Sequence, residues 1–438
     1  PASATTISDV YAYAGSPPPP PPPTASGSAR PLRLQHSNRF NAGAASTTTT
    51  TTTARSGIRN VGNSCYSNAV LQALASEPAL LADLSSPLWV DVAERAKLMR
   101  ALQATLDAAA SPGASGAVDP SALKRALPPS TFSQKHNQED AHEYLCALVE
   151  ACEAELTSGS VSDQLWSALQ GVLPDFVRQF ASTVPRTEIV RRVLPFRSLH
   201  SELEKEIRCL ECGYARTMSE RHLTHSLDFD GALGVEEDAW DLGDMWAHYL
   251  GLPNGRVVEY RCEQAACQGT RARLLHRMSK LPDVLVLHVK RFVVDMGPPV
   301  TTRKLNERVK FPAEFVLPPS SLAKNVSAAR DAGPWPDLVE LDAGALGGAL
   351  PRPVNSNGGE GTGIGGASST GATYDLRSVV MHVGGEWDFG HYKTVARTSP
   401  LGGGAADAWT EFDDTFVTPV RGGAAHVAST PAYQRQAY

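Results

Sequence analysis

The sequence has no stretch approaching 18 uncharged apolar residues, which leaves no obvious membrane-spanning helix within it. It also lacks a long basic run: 40 Lys and Arg stand against 46 Asp and Glu, a net charge of -6, and no stripe of them would track a phosphate backbone. A nucleic-acid partner is therefore not expected. No apolar h-region of a secretory signal opens the chain, and the seven cysteines are odd in number, which argues against a secreted disulfide framework. Reduced thiols, free for catalysis or metal, point to cytosol or nucleus. Pro1 stands where Met would begin a complete chain, so a preceding segment carrying an address or an organelle-surface anchor is compatible with the sequence. No internal repeat of fixed period is present.

What the chain does have is enough apolar material, 42% of 438 residues, for a sizeable core in one large domain or two to three ordinary ones. Residues 1–55 contribute little to it. They hold the proline run Pro17 to Pro23 and the threonine run Thr47 to Thr53 with few large apolar residues, the composition of a disordered, partly extended tether. The proline run is also a weak candidate ligand for an aromatic-grooved adaptor module.

From Gly57 to about Leu203 the pattern is helical. "SNAVLQALASEPALLADL" places Val70, Leu71, Leu74, Leu80, Leu81 and Leu84 at three-to-four spacing, and "NQEDAHEYLCALVEACEAEL" does the same with Ala141, Leu145, Leu148, Val149 and Cys152. Beyond residue 186 short β-rich runs take over, such as "DVLVLHVKRFVV", "YDLRSVVMHV", "HYKTVAR" and "FVTPV". The Gly/Ala/Ser/Pro-rich stretch over 321–373 reads as a flexible insertion between strands, and 422–438 as a C-terminal tail.

Cys65 follows "NVGNS", loop chemistry able to aim donors at one point, and opens a helix, where the aligned peptide dipoles favour a thiolate. Cysteine is also among the most often buried residues, so a packing role competes. A cysteine nucleophile needs a base and the base needs an orienting acid. "GHYKTVAR" offers His391 and "WTEFDDTFV" offers Asp413 and Asp414, although twelve histidines make that choice weak from spacing alone. "CLEC" (Cys209, Cys212) and "CEQAAC" (Cys262, Cys267) have pair spacings compatible with a tetrahedral metal site, the alternative being unpaired thiols. His288 and His382, on apolar strands, are expected to be packed structural histidines, Cys146 and Cys152 core, and Lys290 and Arg291 solvent-facing or paired with acids.

Taken together, "GIRNVGNSCYSNAVLQAL", "NQEDAHEYL", "LPDVLVLHVKRF", "YDLRSVVMHVGGEWDFGHYKTVAR" and "WTEFDDTFVTPV" resemble, in order, the signature blocks of the ubiquitin-specific proteases. The resemblance covers about residues 57–420 and implies an α+β, papain-like fold with a helical thumb, a β-rich palm and fingers, the catalytic domain running over 56–421. It implies Cys65 as nucleophile, His391 as base, Asp413 as triad acid with Asp414 as its neighbour, and Asn60 as the oxyanion-hole side chain; the choice between the two aspartates stays open.

The resemblance also implies that the helix after "NQED" borders the channel for the ubiquitin tail. Gln138, Asp140 and Glu143 are then candidate substrate contacts, Asp140 and Glu143 for the arginines of that tail, against the plainer reading of helix capping. Many members carry a structural zinc knuckle, which favours Cys209, Cys212, Cys262 and Cys267 as zinc ligands, although the second pair is usually separated by two residues and here by four. The implied activity is thiol-dependent hydrolysis after the terminal glycine of ubiquitin, with ubiquitin and ubiquitinated proteins as partners and no organic cofactor. An inactive ubiquitin-binding scaffold and a protease for another ubiquitin-like modifier are the alternatives. Ser64 and Ala69 depart from the usual threonine and serine.

Overall fold

Helices gather at the N-terminal side and strands at the C-terminal side, each around its own apolar cluster. The computed structural model describes residues 55–85, 96–111, 116–129, 138–172, 186, 194–229, 239–295, 301–327, 371–385, 390–398 and 407–438. The tether expected over 1–55, apart from Arg55, and most of the insertion expected over 321–373 lie outside the described residues.

Six α-helices form the first part among the described residues: α1 (Cys65–Ala75), α2 (Pro78–Leu84), α3 (Lys97–Ala110), α4 (Ser121–Ala126), α5 (Ala141–Thr157) and α6 (Gly159–Val172). Pro78 opens α2 at a position where its missing N–H costs nothing. The carboxylate of Glu155 on α5 reaches the start of α3, its two oxygens each accepting at 3.0 Å from the N–H groups of Leu98 and Met99. Leu71, Leu102, Leu106, Leu148 and Leu165, all essentially inaccessible, pack these helices together. Burying a leucine is worth about 1.5–3 kcal/mol, so this cluster fixes the platform under Cys65.

The strands begin with a hairpin of β1 (Ser201–Cys209) and β2 (Ala215–His222), followed by β3 (His225–Leu227), β4 (Ala239–Asp241) and α7 (Leu242–Leu250). Next come β5 (Arg256–Glu259), β6 (Arg271–Lys280), β7 (Leu287–Val289), β8 (Phe292–Asp295), β9 (Thr301–Lys304), β10 (Arg308–Lys310), β11 (Glu314–Leu317) and β12 (Leu322–Ser327). A five-stranded sheet runs β12-β6-β1-β2 with β5 added to β6. β12 thus occupies the start of the expected insertion: 322–327 pair in parallel with β6.

After β13 (Ala372–Asp375), the strands β14 (Ser378–Val383), β15 (His391–Arg397), β16 (Trp409–Asp413) and β17 (Phe416–Val420) make an antiparallel sheet in that order. Helix α1 lies against β15, where Thr394 donates its hydroxyl to the Ala69 carbonyl at 2.7 Å. Behind the sheet sit Trp246, Trp409, Met278, Val309 and Val395.

Residues 422–438 are no loose tail. They form α8 (Gly423–Ser429) and α9 (Pro431–Gln436), and Val427 is fully buried. Their anchor is Arg291, which was expected to face solvent or an acid and is instead 0% exposed. Its guanidinium donates to the carbonyls of Ala437, Gln434, Leu305 and Glu307 at 2.6, 2.9, 3.0 and 2.8 Å. Five N–H donors in a planar fork suit four convergent carbonyls, which no acid could satisfy as well.

Candidate active site

The loop before α1 is tied by its own side chains. Asn60 Oδ1 accepts from the Gly62 and Ser64 amides at 3.2 and 3.1 Å and from the Ser64 hydroxyl at 3.3 Å, while Ser64 Oγ accepts from the Val61 amide at 2.9 Å. Gly62 and Asn63 adopt positive φ of 98° and 46°, conformations that glycine and asparagine tolerate best. The loop delivers Cys65 as the first residue of α1, 4% exposed.

Asp414 holds this loop from the other end of the chain. At the turn between β16 and β17, with φ of 50°, its carboxylate accepts from Asn60 Nδ2 at 2.9 Å and from Asn68 Nδ2 at 2.7 Å. Its carbonyl accepts from the Ile58 amide at 2.9 Å. A Cβ on Gly57 would lie 2.6 Å from that carbonyl oxygen, so a side chain there would force the two segments apart.

His391 opens β15 beside them. The amide of the preceding Gly390 donates to Gln138 Oε1 at 3.1 Å, and any side chain at 390 would collide with the ring of His382. His391 Nε2 pairs with Asp413 Oδ1 at 2.6 Å, and Cys65 lies beside the same ring. Interaction with Cys65 is the strongest influence on the imidazole. Together with Asp413 it outweighs burial and lifts the pKa to about 9. Burial works against the Asp413 carboxylate, but Lys393 and then His391 hold it below the usual range.

The structure therefore brings Cys65, His391 and Asp413 together, with the last two hydrogen-bonded and Asp414 and Asn60 in a second arrangement beside them. Of the candidate substrate contacts, Gln138 is engaged with Gly390. Asp140 caps α5 through the Glu143 amide at 2.9 Å and also accepts from the Tyr438 hydroxyl. Glu143 is exposed on the first turn of α5. His288 and His382 are buried, His288 bonded to Ser226 at 2.9 Å; Cys152 is core, whereas Cys146 is half-buried against His142. Lys290 pairs with Asp228 at 3.0 Å.

At the far end of the large sheet, Cys209 and Cys212 sit at the turn of the β1–β2 hairpin, and Cys262 and Cys267 at that of β5–β6. All four sulfurs lie within 4.8 Å of one another. The 209–267 and 212–262 edges measure 3.8 and 3.6 Å. A tetrahedron with metal–sulfur bonds of about 2.3 Å has edges near 3.8 Å, so these thiols fit a four-coordinate ion. A Cβ on Gly269 would come within 2.9 Å of Cys209 Sγ, so the backbone approaches the cluster where only glycine permits it.

The sequence model of the family described as ubiquitin carboxyl-terminal hydrolase matches residues 56–438. The chain belongs to the ubiquitin carboxyl-terminal hydrolase family. With it comes the papain-like cysteine protease fold, mixed α+β, read from the signature blocks. Ubiquitin carboxyl-terminal hydrolase 17-like protein C of Mus musculus is 27% identical over 372 residues, covering 83% of this chain and 51% of the mouse protein. Ubiquitin carboxyl-terminal hydrolase 36 of Drosophila melanogaster is 25% identical over 392 residues, 86% of this chain and 29% of its own length. Ubiquitin carboxyl-terminal hydrolase 12 of Salmo salar is 24% identical over 375 residues, 83% of this chain and 81% of its own. The chain thus spans about half the length of the mouse relative.

Of the two departures, Ser64 keeps a hydroxyl, and nothing in the structure explains Ala69. Ser64 uses its hydroxyl as both acceptor and donor inside the loop, which threonine would also do. Ala69 is 3% exposed where α1 meets β15, and its carbonyl serves Thr394. Asn68 and Lys393 escaped the sequence reading. Asn68 stands three residues after Cys65, about one helical turn, and Lys393 two after His391, the strand repeat, so face periodicity was the available signal.

Proposed function

We propose that this chain is a deubiquitinase, hydrolysing the isopeptide or peptide bond after the C-terminal glycine of ubiquitin. The observation that carries the reading is His391, placed beside Cys65 and bonded at 2.6 Å to Asp413. In this reading His391 takes the Cys65 proton, and its raised pKa keeps that proton on the imidazole while the thiolate attacks the glycine carbonyl. An amide nitrogen has two N–H bonds; Asn60 spends one on Asp414 and offers the other, with the Cys65 backbone amide, to the oxyanion. His391 then protonates the leaving amine, and water, deprotonated by the same imidazole, opens the thioester. Asp413 fixes the ring and offsets its charge throughout.

Asp140 and Glu143 at the start of α5 are the proposed acceptors for basic residues of the ubiquitin tail. Asp140 is already oriented by its cap bond and by Tyr438. Cys209, Cys212, Cys262 and Cys267 are proposed to hold one structural zinc ion, whose four sulfur ligands leave no position for water. Ubiquitin and ubiquitinated proteins are the proposed partners, and cytoplasm or nucleus the proposed location. No helix among the described residues is long and apolar enough to cross a membrane.

Parallel hydrolysis of fluorogenic substrates linked to ubiquitin and to other ubiquitin-like modifiers tests the substrate. Ubiquitin should be turned over fastest; a clear preference for another modifier would overturn the assignment.

A further inference from the structure

The Asp413 carboxylate is held by both of its oxygens. Oδ1 takes His391 Nε2 at 2.6 Å, and Oδ2 takes Lys393 Nζ at 2.7 Å. Strand alternation puts Lys393 on the His391 face of β15, two residues along, so one carboxylate is forked between a base and a fixed cation. Lys393 Nζ also lies 3.5 Å from Glu411 Oε1, and Glu411 Oε2 accepts from the Tyr433 hydroxyl at 3.1 Å. A continuous line therefore runs from Tyr433 on α9 through Glu411, Lys393 and Asp413 to His391.

We propose that Lys393 is a positioning residue for the hydrolytic reaction, fixing the rotation of the Asp413 carboxylate and opposing the positive charge on His391. This rests on the deubiquitinase reading for its kinetic readout only. A carboxylate bonded through one oxygen can swing about its terminal torsion, which is broad and soft. Bonded through both, it presents Oδ1 to Nε2 in one orientation and leaves Nδ1 of the same ring free of Asp413. The ammonium also competes for the negative charge that would otherwise serve the imidazolium alone. Among the described residues, the groups facing Lys393 are Asp413 and Glu411 from β16, His391 from its own strand, and Met381 opposite it on β14, with Tyr433 behind Glu411. Lys393 is itself three-quarters covered, which lessens screening by solvent.

The test replaces Lys393 with Met and with Arg in the full chain and follows kcat and KM for a ubiquitin-linked fluorogenic substrate across pH. For Lys393→Met we expect kcat to fall by about tenfold, as orientation of the base loosens, with KM nearly unchanged. The alkaline limb should move up by about half a pH unit as the opposing cation is removed. Lys393→Arg, which keeps the charge, should restore most of kcat and return the limb. An NMR titration of the His391 ring gives the midpoint shift without turnover, so the proposal remains testable even if ubiquitin is not the substrate. An unchanged His391 midpoint in a folded Lys393→Met chain overturns it, as does a lower kcat with an unmoved limb.

Discussion

Asp413 and Asp414 are adjacent, yet the structure gives them separate work, and their alanine variants should fail differently. Asp413 bonds His391 at 2.6 Å and Asp414 bonds Asn60 at 2.9 Å and Asn68 at 2.7 Å. Removing Asp413 leaves the imidazole without its orienting partner, a change that costs about 10⁴ in kcat where a triad acid is replaced by its amide. Removing Asp414 leaves Asn60 in place, its Oδ1 still held by three donors between 3.1 and 3.3 Å. At Asn60 only the aim of Nδ2 is lost, while Asn68 loses its acceptor at 2.7 Å. A whole oxyanion donor is worth about 10²–10³ in kcat, so a misaimed one should cost about 10–10². The pH profile separates the two. With His391 raised to about 9, the alkaline limb of the wild type should lie near that pH. Asp413→Ala should move it down, since a carboxylate that stabilises the imidazolium is gone, and Asp414→Ala should leave it unmoved. Single-turnover kinetics from pH 6 to 10 measure both, and a limb that shifts in Asp414→Ala but stays put in Asp413→Ala would refute the assignment of roles.

Further outcomes follow from other parts of the fold. Arg291→Met strands four carbonyls, which at about 1 kcal/mol each or somewhat more should lower stability by about 3–5 kcal/mol; urea unfolding reads this, and a loss under 1 kcal/mol contradicts the anchoring role. Burial lowers His225 and His382 to about 3, well under the ordinary 6.5. Folded-state pKa values below the unfolded one mean stability is complete above pH 6.5 and drains as pH falls toward 3. At pH 5 the gap of 1.5 units amounts to about 2 kcal/mol for each group, and His225→Gln should flatten the dependence of the urea midpoint on pH. Metal analysis should find about one zinc per chain, lost in a Cys209→Ser, Cys262→Ser double variant together with thermal stability; a fully folded metal-free wild type would speak against the knuckle.

Local chemistry offered only candidates, a loop of asparagine and glycine ending at Cys65, a glycine before His391 and two adjacent aspartates, and it was the order of the signature blocks that singled them out from twelve histidines and seven cysteines. The long-range partners were less legible. Arg291 lies with Lys290 in the gap between β7 and β8, where two adjacent cations read as a surface feature. Only the packing of α8 and α9, two short helices with glycine and proline starts, reveals four carbonyls converging on it. Those helices looked like a tail because seven and six residues are too few for a helical period to stand out. The four cysteines depart from the usual spacing of the second pair, yet hairpin geometry closes the longer turn without separating the sulfurs. Lys393 reads as an ordinary strand cation until the register of β15 against β16 sets it on Asp413.

The most direct measurement is covalent labelling with ubiquitin carrying a C-terminal electrophile, followed by mapping of the adduct. One ubiquitin should attach at Cys65, with none on the other six cysteines, and the adduct should vanish in Cys65→Ala and slow strongly in His391→Ala. A wild-type chain that binds ubiquitin without forming the adduct, or forms it elsewhere, would contradict the account.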